Sequence, residues 1–349
     1  MVAEQDRRAG DRIAVLPGDR RGAATLLPWP EGGGLRAKVL TYLDHQESFD
    51  AIYLGSSYTA HGIDPLIIDP IVSQRLGRPF SSFNLAVNAA HRFETVHLIR
   101  TLLDDPPERL RFVVIEAQEF SAILVWFERL VTERSIYWHT PRFTSLALLD
   151  LADSRRAATV RGEDAVLHLR MFARHMTNAG FGSALVASLT GAEPPSLRRD
   201  SANVLRAQGY SEMGRMEDGA IAPSRQRLLD HPKGYLQSRN QFESRPRYAD
   251  SMRVALATLE AEVTFLEARG LVPIYVMPPL VRPPEGYEEF ARRGVISDFL
   301  SYASPARYPD LFQLASRWDE QHLSRLGAMR WSERLGHDLA PIILDQQTR

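Results

Sequence analysis

The chain has 349 residues, 44% hydrophobic and 24% charged, with 42 basic against 43 acidic residues and a formal net charge of −1. That balance suits a globular chain with a sizeable core and excludes a wholly disordered, collagen-like or disulfide-scaffolded protein. Bulk charge offers no attraction for nucleic acid, and the absence of cysteine excludes thiol catalysis, cysteine-type zinc sites, iron–sulfur clusters and disulfides.

Residues 1–34 are polar and broken by Pro17, Gly18, Pro28, Pro30 and Gly32 to Gly34; they read as a loosely ordered arm ahead of one α/β domain over 35–349. A short helix is expected from Leu35 to about His45. Asp50 to Leu54 is a short apolar run that stops at Gly55, the pattern of a buried strand entering a tight turn. Ser82 to Val87 reads as a second strand, followed by a helix carrying Phe93, Val96, Ile99 and Leu103. Phe112 to Ile115 is apolar on both faces, as a central parallel strand should be. Met252, Leu256, Leu259, Val263 and Leu266 recur at helical spacing before Gly270, and Leu271 to Met277 is a fourth strand ended by Pro278-Pro279. Leu323 to Leu339 reads as a last helix.

Strands alternating with helices predict a three-layer sandwich around a parallel sheet. The stretch from about 120 to 247 is too long for a plain crossover and is expected to be a helical insertion or cap. Its aromatics, Trp126, Tyr137, Trp138 and Phe143, are expected to be core, with a sugar-stacking wall as the alternative. No apolar run approaches the ~20 residues that span a bilayer, and the polar start has no signal-type stretch. The chain as it stands is therefore expected to be cytoplasmic, without an integral membrane segment, and extracytoplasmic only if it is a truncated form. Only Lys38 and Lys233 are lysines; the other basic residues are arginine.

Several catalytic signatures are missing. There is no Gly-x-x-x-x-Gly-Lys-Ser/Thr loop, no His-Glu-x-x-His and no Gly-x-Ser-x-Gly. Gly180-Phe-Gly182 begins a dinucleotide-like pattern, but Leu185 stands where its next glycine belongs. What remains is a constellation. Gly55-Ser56-Ser57 places a serine at the C-terminal edge of the first strand, where open α/β sheets bind ligands and where a helix start favours negative charge. Asp319 and His322 lie three apart just before the last helix. The imidazole can act as general base to a serine while the carboxylate orients it. His61 and His91 have no such carboxylate partner and are expected to be packing or surface residues.

With these blocks the chain resembles the SGNH (GDSL-type) serine esterase superfamily. Gly55-Ser56-Ser57-Tyr58 matches its first block, with Ser57 as nucleophile, and Asp319-Glu-Gln-His322 matches its last. Gly62-Ile-Asp-Pro65 and Phe83-Asn-Leu85 are similar to the branch of alginate O-acetyltransferase-like and D-alanyl-transfer-like proteins. The resemblance covers about 48–120 and 250–340. It implies an SGNH-hydrolase or flavodoxin-like sheet and acyl-ester chemistry without metal or organic cofactor. It also implies an acylated carbohydrate or small molecule as substrate, with a membrane acyl-donor partner in some members.

Two blocks depart from the family pattern. Val87-Asn88-Ala89-Ala90 replaces the block whose glycine N–H helps form the oxyanion hole, leaving Asn88 and Ala89 as candidates beside the Ser57 N–H. Glu116-Ala117-Gln118-Glu119 replaces Gly-x-Asn-Asp, so the Gln118 amide is a candidate donor, and Glu116 and Glu119 are expected to make the crevice acidic. The expectation is thus an esterase or O-acyltransferase built on Ser57, His322 and Asp319. Two other readings are a catalytically silent carbohydrate- or partner-binding protein of the same fold, and a phosphoester hydrolase, for which neither a metal cluster nor a phosphate loop is visible.

Overall fold

Five short segments pair into one sheet in the order β2-β1-β3-β4-β5, every pairing parallel: β1 (Ala51–Leu54), β2 (Ser82–Asn84), β3 (Phe112–Glu116), β4 (Val272–Met277) and β5 (Asp298–Ser301). The structure is a computed structural model and describes residues 34–124, 131–177, 179, 195–215, 222–241 and 252–348. Residues 1–33 of the expected arm, Trp126 and Gly180 to Gly182 lie outside the described residues.

The helices, in chain order, are α1 (Leu35–His45), α2 (Ser57–Gly62), α3 (Pro65–Leu76), α4 (Arg92–Leu102), α5 (Glu133–Tyr137), α6 (Pro141–Asp153) and α7 (Ala158–Met176). They continue with α8 (Pro195–Arg206), α9 (Ala222–Asp230), α10 (Lys233–Asn240), α11 (Met252–Glu267), α12 (Tyr287–Arg292) and α13 (Arg325–Thr348).

Side chains along a strand alternate between faces, and here both faces are apolar. Ile52, Leu54, Val113, Ile115, Tyr275 and Met277 share a core with residues of α1, α4, α6, α11 and α12. Ala51, Tyr53, Phe112, Val114, Ile274 and Val276 share the opposite core with α3 and α13. Each fully buried aliphatic or aromatic side chain contributes about 1.5–3 kcal/mol, so continuous apolar runs are stable as strands only when covered twice. The result is an α/β fold of three layers. Its strand order reverses at β1, which opens a crevice at the C-terminal ends of β1 and β3.

Some elements were not anticipated. β5 is an edge strand whose four residues are all half-buried, so it leaves no continuous apolar run. In α3, Asp64 caps the first turn by accepting from Leu66 N, and Pro65 pre-sets the first helical residue. The last helix runs beyond Leu339 to Thr348, with Pro341 inside it.

The described residues between β3 and β4 form only helices, 3-10 turns and loops. Tyr137, Trp138 and Phe143 are buried in the core over β1 and β3, as the packing reading expected. The segment after α8 covers the edge of β2: Asn84 N donates to Gln208 O, and Gly209 (φ +81°) lies so close that a Cβ there would fall 2.1 Å from Asn84 O. Covering an exposed edge removes a site of uncontrolled strand pairing. Among the described residues no helix is long and apolar enough to cross a membrane.

Candidate active site

The turn after β1 carries Ser57. Ser56 caps α2, its Oγ accepting from Tyr58 N at 3.4 Å. Beneath it lies Glu116, buried at the end of β3. Its Oε2 accepts from Ser56 N (2.9 Å), Thr59 N (3.1 Å) and Thr59 Oγ1 (2.7 Å), and its Oε1 from Ser56 Oγ (2.6 Å). Burial raises the Glu116 pKa, and these hydrogen bonds oppose the shift. The expected acidic contribution of Glu116 to the crevice is therefore corrected. Its carboxylate is consumed in capping α2, while Glu119 is exposed.

This cap decides which first-turn donors stay open. Ser56 N and Thr59 N serve Glu116, Tyr58 N serves Ser56 Oγ, and Ala60 N serves Ser56 O at 2.9 Å. The Ser57 N–H donates to no protein group among the described residues. A free amide beside a nucleophile is the geometry an oxyanion needs.

The other end of α2 is held from distant parts of the chain. Asn84 Nδ2 donates to Thr59 O and Ile63 O (2.9 and 2.7 Å), Ser211 N to Ala60 O (3.1 Å), and Ser332 Oγ to Gly62 O (3.2 Å). Gly62 admits Trp331 of α13: a Cβ there would lie 2.4 Å from the indole. The Phe-Asn-Leu and Gly-Ile-Asp-Pro blocks thus have local work, fixing the helix that presents Ser57.

The Asp319–His322 turn is fastened to the same crevice by the fully buried Arg317. One guanidinium nitrogen donates to Pro279 O, just past β4, at 2.8 Å; the other donates to Glu320 O and Gln321 O at 3.0 and 2.8 Å. Arg225 of α9 donates to the carbonyls of Leu314 and Arg317. Asp319 Oδ1 accepts from the backbone N–H of Gln321 and His322 (2.8 and 2.7 Å).

His322 Nδ1 lies 2.9 Å from Asp319 Oδ2, and His322 Nε2 lies 2.8 Å from Ser57 Oγ. A carboxylate only accepts, so Nδ1 carries the proton and Nε2 is left to accept from the serine hydroxyl. Burial alone would raise the Asp319 pKa, but the hydrogen bonds and charge of His322 outweigh it and hold the carboxyl down to about 2. Asp319 is therefore ionised throughout the neutral and mildly acidic range. Tyr58 covers one side of the His322 ring at 5.3 Å between centroids, and its hydroxyl donates to Gln321 Oε1.

The structure therefore brings Ser57, His322 and Asp319 together. The loop of Asn88 and Ala89 follows directly on Val87, whose N–H donates to Gly55 O at 3.0 Å, two residues before Ser57. Ala89 is exposed with φ +56°, and the Asn88 and Ala89 N–H groups donate to no protein group among the described residues. Gln118 has partners on both sides of its amide. Its Nε2 donates to Ala90 O (2.8 Å) and its Oε1 accepts from Thr95 Oγ1 (2.7 Å), so the buried amide ties the loop to α4.

His61 is buried with Nδ1 2.6 Å from Ser211 O, its ring edge-on to His322. Burial lowers its pKa to about 4 despite the Ser211 bond, with the charge of His322 adding to the drop. It is thus neutral near pH 7 and adds no charge beside His322. His91 caps α4 and stacks on Trp138 at 5.3 Å. Since Trp138 is itself 2% exposed, it is no sugar platform. Lys38 is buried and donates to Ala86 O at 2.6 Å; burial lowers its pKa to about 7.

Sequence reasoning missed the capping role of Glu116, the Lys38 contact and the Arg317 anchor. Each acts on residues contributed by a different element, so no local spacing marks it. Among the described residues no three His, Asp or Glu side chains converge as metal ligands. No protein-family model matches the chain, and no curated protein matches it significantly.

Proposed function

We propose that the protein is a serine-dependent acyl-ester hydrolase or O-acyltransferase working through an acyl-enzyme on Ser57. The observation that carries this reading is the aligned Ser57–His322–Asp319 chain, with hydrogen-bond distances of 2.8 and 2.9 Å. A surface serine and a capping aspartate have no reason to share one imidazole in this order.

In this mechanism Ser57 Oγ attacks the ester carbonyl while its proton passes to His322 Nε2. Asp319 holds the tautomer and stabilises the imidazolium. The negative charge on the tetrahedral oxygen is taken by the Ser57 N–H, with Asn88 and Ala89 N–H groups as the second wall; one such donor is typically worth ~2.7–4 kcal/mol of barrier. His322 then returns the proton to the leaving alcohol. Water resolves the acyl-enzyme in a hydrolase, a sugar hydroxyl in a transferase. An O-acetylated carbohydrate or similar small ester as substrate rests on the resemblance of Gly62–Pro65 and Phe83–Leu85.

The test is intact-mass labelling with a fluorophosphonate probe and release of p-nitrophenol from its acetate, comparing wild type with Ser57→Ala. A single adduct and ester turnover, both lost in the variant, are expected. No adduct on folded wild type and equal turnover in both proteins would overturn the reading in favour of a silent binding protein.

A further inference from the structure

The candidate oxyanion loop is gripped from the insertion by one arginine. Arg134, on α5, donates from Nη1 to Asn88 O at 2.5 Å. The peptide from Asn88 to Ala89 is trans, like all those described, so its C=O and the Ala89 N–H point in opposite directions in one plane. Anchoring the oxygen on one side therefore sets the direction of the N–H on the other.

The arginine is itself fixed. Its Nε and Nη2 form a two-point fork with Glu94 Oε1 and Oε2 (2.7 and 2.9 Å), and the two side chains are only 14% and 3% exposed. Glu94 lies in the first turn of α4 and also accepts from His91 N (3.4 Å), closing a capping box with His91. One guanidinium thus joins α5, the first turn of α4 and the Asn88 carbonyl. A cationic donor on that carbonyl also polarises the peptide, which makes the opposite N–H a stronger donor. Ala89 needs such a hold, because a non-glycine residue at φ +56° is in a sparsely favoured conformation.

We propose that Arg134 is a positioning residue of the oxyanion hole, aiming the Ala89 N–H by holding the Asn88 carbonyl; this rests on the acyl-ester reading above. The insertion then takes part in the chemical step, through α5.

The test uses the full chain with p-nitrophenyl acetate and the fluorophosphonate probe, comparing wild type with Arg134→Met and with Arg134→Met/Glu94→Gln, in which no buried carboxylate is left unpaired. In the folded variants kcat is expected to fall ~10- to 100-fold with KM within about twofold of wild type. The shape of the pH profile should stay the same, because His322 and Asp319 are untouched. A kcat within about twofold of wild type, or a loss confined to KM, overturns the proposal. If neither variant folds, Arg134→Leu/Glu94→Leu is read instead: the buried ion pair is replaced by apolar side chains and nothing on α5 donates to Asn88 O, so a wild-type kcat there overturns it as well. Wild type that takes no probe on Ser57 removes the acyl-ester reading and this inference with it. Normal wild-type labelling with unaffected variants removes this inference alone.

Discussion

A Cβ on Gly55 would lie 2.5 Å from Glu116 Cβ and 2.6 Å from its Oε2. The residue that opens the Ser57 turn and the carboxylate that caps it are therefore a matched pair. Gly55→Ala must push Glu116 off Ser56 and Thr59, at a cost of about 1–3 kcal/mol of stability. Glu116→Ala strands the donors it serves, each about 1–3 kcal/mol when left unsatisfied. Glu116→Gln can still accept from Ser56 N and Thr59 through its oxygen and donate to Ser56 Oγ through its amide. Urea unfolding together with Ser57 labelling should rank the variants wild type, then Gln, then Ala, in both readouts. Equal labelling of wild type and Glu116→Ala would mean that the cap does not position Ser57.

Asp319→Asn keeps the shape of the turn but lets Nδ1 lose its fixed proton. Turnover is expected to fall ~10³- to 10⁴-fold, as when a triad carboxylate becomes an amide, with the fold retained. The carboxyl also links to stability. Its folded pKa of about 2 lies below the usual 3.8, so its contribution is fully present above pH 3.8 and is lost as the pH falls through about 2. A pH titration of unfolding should show that part of the acid limb in wild type and not in the variant.

Gln118→Leu separates bracing from catalysis. If the amide only ties Ala90 O to Thr95 Oγ1, the substitution costs about 1–3 kcal/mol of stability and less than about tenfold in kcat. A loss of ~10²- to 10³-fold is the signature of a removed oxyanion donor and would restore Gln118 to that role. Thermal unfolding and steady-state kinetics on the same samples decide it.

Lys38 titrates inside the fold. Its folded pKa of about 7 lies below the usual 10.5, so between these values the unfolded chain binds more protons and stability rises with pH. The difference between wild type and Lys38→Met in urea unfolding should shift steadily in favour of wild type from about pH 7 to 10. A difference that does not change over that range would place the ammonium in contact with water or a carboxylate.

The three inner strands, β1, β3 and β4, were legible because each is a continuous apolar run between turn residues, and parallel pairing buries both faces; β2, at one edge, was read as running to Val87 and ends at Asn84. β5 escaped because an edge strand needs only half its surface covered. Ser57, Asp319 and His322 could be named because each sits at a strand or helix end with a recognisable local pattern. The bracing around them could not. Glu116 reads as one more acid after a strand until Gly55, Ser56 and Thr59 are folded onto it. Arg134 reads as one of many arginines. Gln118 has the side chain of a donor, and only Ala90 and Thr95 reveal that its amide also braces the loop.

Ser57 and His322 are 265 positions apart in the chain. During synthesis the nucleophile is therefore made long before its base, and Ser211 and Ser332, which hold the end of α2, also emerge after it. In the proposed mechanism a nascent or partly folded chain carries a serine of ordinary reactivity. Ester turnover then requires the Asp319–His322 turn to be docked against Ser57, so activity regained on refolding reports that long-range contact.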